Sequence, residues 1–251
     1  GGSYGPVAYQ PNAGPGGGAV RILASGTVTV RGTISARGGN ATITYASPGS
    51  GGAIYITCQT FGGDTNGLLR VNGGDAFDIY GGAGGGGRIA VNYTLLDASH
   101  GARFSAAPGA VSWAYGDPTN RFHYLPMPGT VWFPDTYLLT ATLDDALFAG
   151  AVNIQGIASW APNSLTVRNC SVTFGQIGVV VQVTNGIVVG QGGRLVIGSY
   201  EVGSNYILRC GGDLTLTNGG SLYVYGGSTN GEAGAFGALI EVTNTLYIGA
   251  G

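Results

Sequence analysis

The sequence contains no lysine, and its only cationic side chains at neutral pH are ten arginines. Twelve acidic residues leave a net charge of −2, and charged residues make up 9% of the 251, against about a quarter in ordinary soluble domains. So little positive charge excludes an electrostatic footprint for nucleic acid or anionic lipid. Long apolar runs are also missing, since none approaches the ~20 residues that a membrane-spanning helix needs. There is a single methionine, Met127, and good helix formers are scarce, which points away from helices. Three cysteines (Cys58, Cys170 and Cys210) do not make a framework of small disulfide-closed loops, and a free thiol packs as a small hydrophobe. Two histidines, His100 and His123, without a cluster of Cys or Asp around them, argue against a zinc site.

Glycine is what the chain has in abundance: 50 residues, beside 14 Tyr, 8 Phe and 3 Trp. Gly has no three-residue period, so collagen is excluded, and an apolar content of 44% is too high for a disordered linker. The composition predicts an all-β protein rich in glycine-mediated turns and large enough for a substantial core.

Repeats sharpen that expectation. In the first half Gly-rich runs precede β-branched segments, and Val20, Ile54 and Ile89 stand 34 and 35 residues apart. Ile22, Ile56 and Val91 keep the same spacing; Ile34, Leu69 and Phe104 form a second ladder, and Ala36, Val71 and Ala106 follow two residues later. In the second half the period drifts. Leu165/Val167, Ile187/Val189, Leu214/Leu216 and Leu246/Ile248 form one set of inward pairs. Val172/Phe174, Leu195/Ile197 and Leu222/Val224 form a second, and Val181/Val183, Leu208/Cys210 and Ile240/Val242 a third. Alternation marks half-buried strands, and recurrence every 20 to 50 residues marks a solenoid. The expected fold is a parallel β-helix, or β-solenoid, with Gly-rich corners, which places Cys210 in a core ladder. Half of the glycines fall in residues 1–93, and five prolines accumulate from Pro108 to Pro134. The expected organisation is therefore Gly-rich repeats over 1–106, a junction over 107–150, and a three-strand-per-coil β-helix over 151–251.

The motifs Gly16 to Ile22, Gly32-Thr33-Ile34-Ser35-Ala36-Arg37-Gly38-Gly39, Gly51 to Cys58 and Gly84 to Val91 occur in a fixed order. In order and spacing, residues 1–93 resemble a family of large Gly-rich repeat proteins from planctomycete- and verrucomicrobia-type bacteria. Gly129 to Phe133 extends the likeness. The resemblance implies a surface or secreted location and brings no catalytic residue with it. Residues 134–251 resemble β-helical repeats in general, as in adhesins and secreted passenger domains.

Sites for chemistry are sparse. Asp144-Asp145 is the only adjacent carboxylate pair, and strand neighbours point to opposite faces, so the pair reads as a turn rather than as two acids flanking a glycosidic bond. Gly73-Gly74-Asp75-Ala76-Phe77-Asp78 approaches a calcium-binding nonapeptide, but those sites form between tandem copies and there is one copy. The expectation is no enzyme, no catalytic residue and no cofactor, with calcium the single candidate ion. Insertions gather at the step from second to third strand, which lengthens from 7 to 11 to 16 residues. That edge carries Tyr200, Glu201, Tyr206, Tyr225, Glu232 and Phe236 as a candidate interaction face.

The sequence opens with Gly1-Gly2-Ser3-Tyr4, with no initiator Met or leader, and both ends fall inside repeats without a charged or helical cap. These features read as uncapped strand edges that template further pairing. The resulting expectation is an extracellular structural protein that assembles head to tail with its own copies into a filament. The alternatives are a β-helical adhesin or stalk segment that binds extracellular glycans, and a polysaccharide-degrading enzyme.

Overall fold

The computed structural model describes residues 13–77, 82–111, 126–199, 205–225 and 237–249. Among these the protein is all-β, without a helix, and its strands pair in parallel. No helix among the described residues is long and apolar enough to cross a membrane. The chain divides into two compact units, Gly1–Val131 and Trp132–Gly251. The division falls inside the Pro-rich stretch 107–150 rather than at either of its ends.

In the first unit, β1 (Ala19–Leu23), β4 (Ala53–Gly63) and β6 (Arg88–Leu96) form one sheet, and β2 (Thr27–Val30) also pairs with β4. A second sheet holds β3 (Thr33–Ser35), β5 (Leu68–Arg70) and β7 (Arg103–Ser105). The register follows the 34–35-residue ladders: Val20 faces Ile54 and Ile54 faces Ile89, while Ile34 faces Leu69 and Leu69 faces Phe104. Stacking of like on like buries Ile54, Ile56, Ile89, Val91, Leu69 and Phe104 almost completely, each contributing about 1.5–3 kcal/mol of hydrophobic burial. Phe61 adds an aromatic cluster, its ring centroid 6.3 Å from both Tyr93 and Phe104.

Glycine in this unit does something other than turn the chain. Two rows of extended backbone, one through Gly17, Gly51 and Gly86 and the other through Ala36, Val71 and Ala106, approach backbone to backbone. Gly52, Gly87 and Gly129 donate their N–H groups to the carbonyls of Ala36, Val71 and Ala106 at 2.8, 2.7 and 2.7 Å. A Cβ on Gly17, Gly51 or Gly86 would stand 2.1, 1.8 or 1.9 Å from those same three carbonyl oxygens. A second ladder zigzags between the rows, from Gly39 N to Pro15 O, Gly49 N to Gly39 O, Gly74 N to Gly49 O, Gly84 N to Gly74 O and Gly109 N to Gly84 O. Only residues without side chains on the facing surfaces allow these bonds. Among the described residues of this unit, no glycine has a positive φ.

β8 (Thr130–Trp132) straddles the division between the units. The second unit then repeats a cycle through three parallel sheets. β10 (Ala151–Gln155), β13 (Ser171–Phe174), β16 (Arg194–Ile197) and β19 (Ser221–Val224) lie side by side in one. β11 (Ser159–Trp160), β14 (Val180–Val183), β17 (Ile207–Cys210) and β20 (Leu239–Val242) form the next. β9 (Thr142–Leu143), β12 (Leu165–Val167), β15 (Ile187–Val189), β18 (Leu214–Leu216) and β21 (Leu246–Ile248) form the third. Val183 faces Cys210 and Cys210 faces Val242, so this thiol occupies the core ladder expected for it. Here glycine does turn corners: Gln191-Gly192 (φ 50 and 70°) and Asn218-Gly219 (φ 48 and 74°) are paired left-handed residues, the combination a tight turn between strands requires. The corners stack, with Gly192 N donating to Asn218 O at 3.1 Å.

This burial pattern makes a direct prediction. Leu195, fully buried in β16, should cost about 2–5 kcal/mol when changed to Ala. Leu239, 48% exposed on β20, should cost less than about 1 kcal/mol. Denaturant unfolding of L195A and L239A checks both values.

Candidate functional site

Of the six residues expected to form an interaction face, Tyr200, Glu201, Glu232 and Phe236 lie outside the described residues. Tyr206 is not a surface residue. Its side chain is fully buried, and its ring stands 3.6 Å from the position of a Cβ on Gly198. The cause is strand parity: Tyr206 stands two residues before the inward Leu208 and therefore points the same way. That alternation was readable in the sequence. Tyr225 is half-buried, and its N–H donates to the Ile197 carbonyl at 3.0 Å. Both described tyrosines of this set stand beside Gly198, the Tyr206 ring at 3.6 Å and the Tyr225 Cβ at 3.4 Å from the position of a Cβ there.

Asp144 and Asp75 are engaged in structure, and Asp78 lies outside the described residues. Asp144 opens a turn: its carbonyl accepts the N–H groups of Leu147 and Phe148, and its Oδ1 accepts that of Ala146 at 3.0 Å. Its Oδ2 receives Nε and Nη2 of Arg168, at 3.1 and 2.9 Å. Asp75 occupies a repeat ladder in which Asn40 Oδ1 accepts the Asp75 N–H and Asp75 Oδ1 accepts the Ala110 N–H, both at 2.9 Å. The guanidinium of Arg37 bridges Asn40 Oδ1 and Asp75 Oδ2. Side chain thus holds backbone across successive repeats, and a cation of the chain's own sits on the carboxylate where calcium was considered. Asp213 plays a similar part in the second unit, its Oδ1 accepting from Asn244 Nδ2 and from the Thr245 N–H. His100 places Nδ1 2.9 Å from the Asp97 carbonyl, and His123 lies outside the described residues.

The surface most unlike a finished one is the outer edge of the second unit. β19, β20 and β21 each end their sheet and pair on one side only among the described residues. Along one inward ladder Leu165 and Ile187 are fully buried and Leu214 is 1% exposed, but Leu246 is 53% exposed. Ile248 reaches 69% and Val224 reaches 44%. Apolar side chains of these ladders are exposed there, beside strands that pair on one side among the described residues. In the first unit β1 and β3 likewise end their sheets among the described residues, and their inward Val20, Ile22 and Ile34 are only half-buried.

All three thiols are buried and unbridged. Burial pushes Cys170 up to about 12, and the nearby carboxylates of Asp144 and Asp145 add to the effect; burial also raises Cys58. A thiol held neutral is a poor nucleophile. Comparisons with protein-family models, with curated proteins and with solved structures gave no match.

The raised Cys170 value has a sign that can be tested. Above its ordinary value the unfolded chain loses the thiol proton while the folded chain keeps it, so stability falls as pH rises from about 9 towards 12. Unfolding titrations should show a shallower alkaline loss in C170S than in the parent. Maleimide should label the native thiols slowly at pH 8 and all three rapidly in denaturant.

Proposed function

We propose that this is an extracellular structural protein, its parallel strands wound as β-helical coils, that assembles head to tail with its own copies into a surface filament. The observation that carries this reading is the uncovered ladder end at β19, β20 and β21. Leu246, Ile248 and Val224 sit in registers whose earlier members are buried. A second copy offering the edges of β1, β2 and β3 supplies both missing elements, strand partners and apolar cover. Such a contact joins unlike surfaces, and a heterologous contact that does not close a ring propagates as a fibre. The absence of Lys and the net charge of −2 leave little repulsion to oppose dense packing. Catalysis has no part in this reading, because Asp144 is committed to its turn and to Arg168.

Purified protein should pellet on ultracentrifugation and give fibres of uniform width by negative-stain microscopy. The double variant L246D/I248D places charges on the edge and should remain soluble, with a circular dichroism spectrum like the parent's. Parent protein that stays monomeric at high concentration would exclude the filament.

A further inference from the structure

The outer face of the β3–β5–β7 sheet carries two arginines without acids, Arg70 on β5 and Arg103 on β7. Arg37, Arg70 and Arg103 recur at a spacing of 33 residues, two short of the strand register in which Ser35 faces Arg70 and Leu68 faces Arg103. A spacing two residues short of the repeat moves each arginine one position along the same face, so the three form a diagonal. Successive Cα atoms on such a diagonal lie ~8 Å apart, within reach of long side chains converging on one group.

Arg37 is neutralised by Asp75. Arg70 and Arg103 make no ion pair among the described residues, and the Nε of each is shielded from solvent without a hydrogen-bond acceptor. Arg31, Arg168 and Arg209 have carboxylates, and Arg21 and Arg194 lie over the rings of Tyr55 and Tyr223, although the Arg194 Nε is likewise without an acceptor; Arg88 is exposed on β6. Like charges on neighbouring strands repel. An external oxyanion relieves that repulsion, and the guanidinium fork suits a carboxylate or sulfate better than an ammonium does.

The rest of the face selects among anion carriers. The exposed Thr33 and Ser35 share it, offering hydroxyls to a polyhydroxylated ligand. The outward positions of the three strands hold no aromatic side chain on which a base could stack, a regular feature of single-strand nucleic-acid sites. We propose that Arg70 and Arg103 form a binding site for an acidic polysaccharide, taking a uronate carboxylate or a sulfate ester between them. Its two arginines stand on β5 and β7, whereas the assembly reading uses the edge of β3 in the same sheet, and the site does not depend on that reading.

Affinity electrophoresis of the whole protein in gels containing polygalacturonate, dextran sulfate or neutral dextran tests the site, with a single-stranded oligonucleotide as competitor. Retardation is expected with one or both acidic polymers and not with neutral dextran, and polygalacturonate against dextran sulfate tells carboxylate from sulfate. Apparent affinity should fall roughly tenfold or more in R70Q/R103Q, while R88Q, an exposed arginine of the same unit, matches the parent. R70K/R103K keeps the charge and removes the fork, so its intermediate loss separates recognition from misfolding. Absence of retardation by either acidic polymer, equal loss in R88Q, or displacement by the oligonucleotide at equal charge would overturn the proposal.

Discussion

Hydrogen bonds between bare backbones, made where no Cβ fits, are the constraint on which the first unit depends. In an ordinary sheet packing, two layers stand about 10 Å apart and side chains fill the gap. Here the Gly17, Gly51 and Gly86 row meets the Ala36, Val71 and Ala106 row with direct N–H to O=C bonds of 2.7–2.8 Å. The interior between those rows is polypeptide backbone. Apolar side chains are needed only where the strands proper begin, as at Ile54, Ile56, Leu69 and Phe104. A unit built in this way satisfies its backbone groups in two directions, along the repeat and across the rows, and tolerates a composition in which glycine is a fifth of the chain.

The second unit reaches a parallel architecture by a different route. Its interior is filled by Val, Leu and Ile ladders, and its glycines take positive φ at stacked corners. Polar side chains reinforce the repeats in both units. Asn40 and Asp75 hold the backbone of the next repeat in the first unit, and Asp213 holds Thr245 in the second. Asp75 and Asp213 are consumed in holding strands in register, and no cluster of acids that could hold a metal ion forms among the described residues. The proposed filament and the proposed polysaccharide site use what remains: unpaired edges with uncovered apolar ladders, and two arginines without acids.

Apolar ladders were the most legible part of the sequence. Val20–Ile54–Ile89 and Leu165–Ile187–Leu214–Leu246 pair residue for residue as their spacing requires, because alternation encodes which face is inward. The same alternation points Tyr206 inward with Leu208, whereas its place at the end of a long insertion suggests a surface position. Glycine was less legible, since a residue without a side chain gives no sign whether it serves a turn or a close approach. Only the structure separates Gly192 at its corner from Gly86 beneath the Ala106 carbonyl. The arginine diagonal is hidden in the sequence because its 33-residue spacing differs from that of the apolar ladders.

Neighbouring glycines offer the most direct test of backbone packing. A Cβ on Gly86 would lie 1.9 Å from Ala106 O, whereas one on Gly85 meets nothing closer than Met127 O at 3.7 Å. Both substitutions add the same methyl group and the same loss of unfolded-state freedom. Thermal and denaturant unfolding of G86A and G85A therefore isolates the close approach. The account predicts that G86A loses about 3 kcal/mol or more, while G85A stays within about 1 kcal/mol of the parent. Equal stability of the two variants would contradict it.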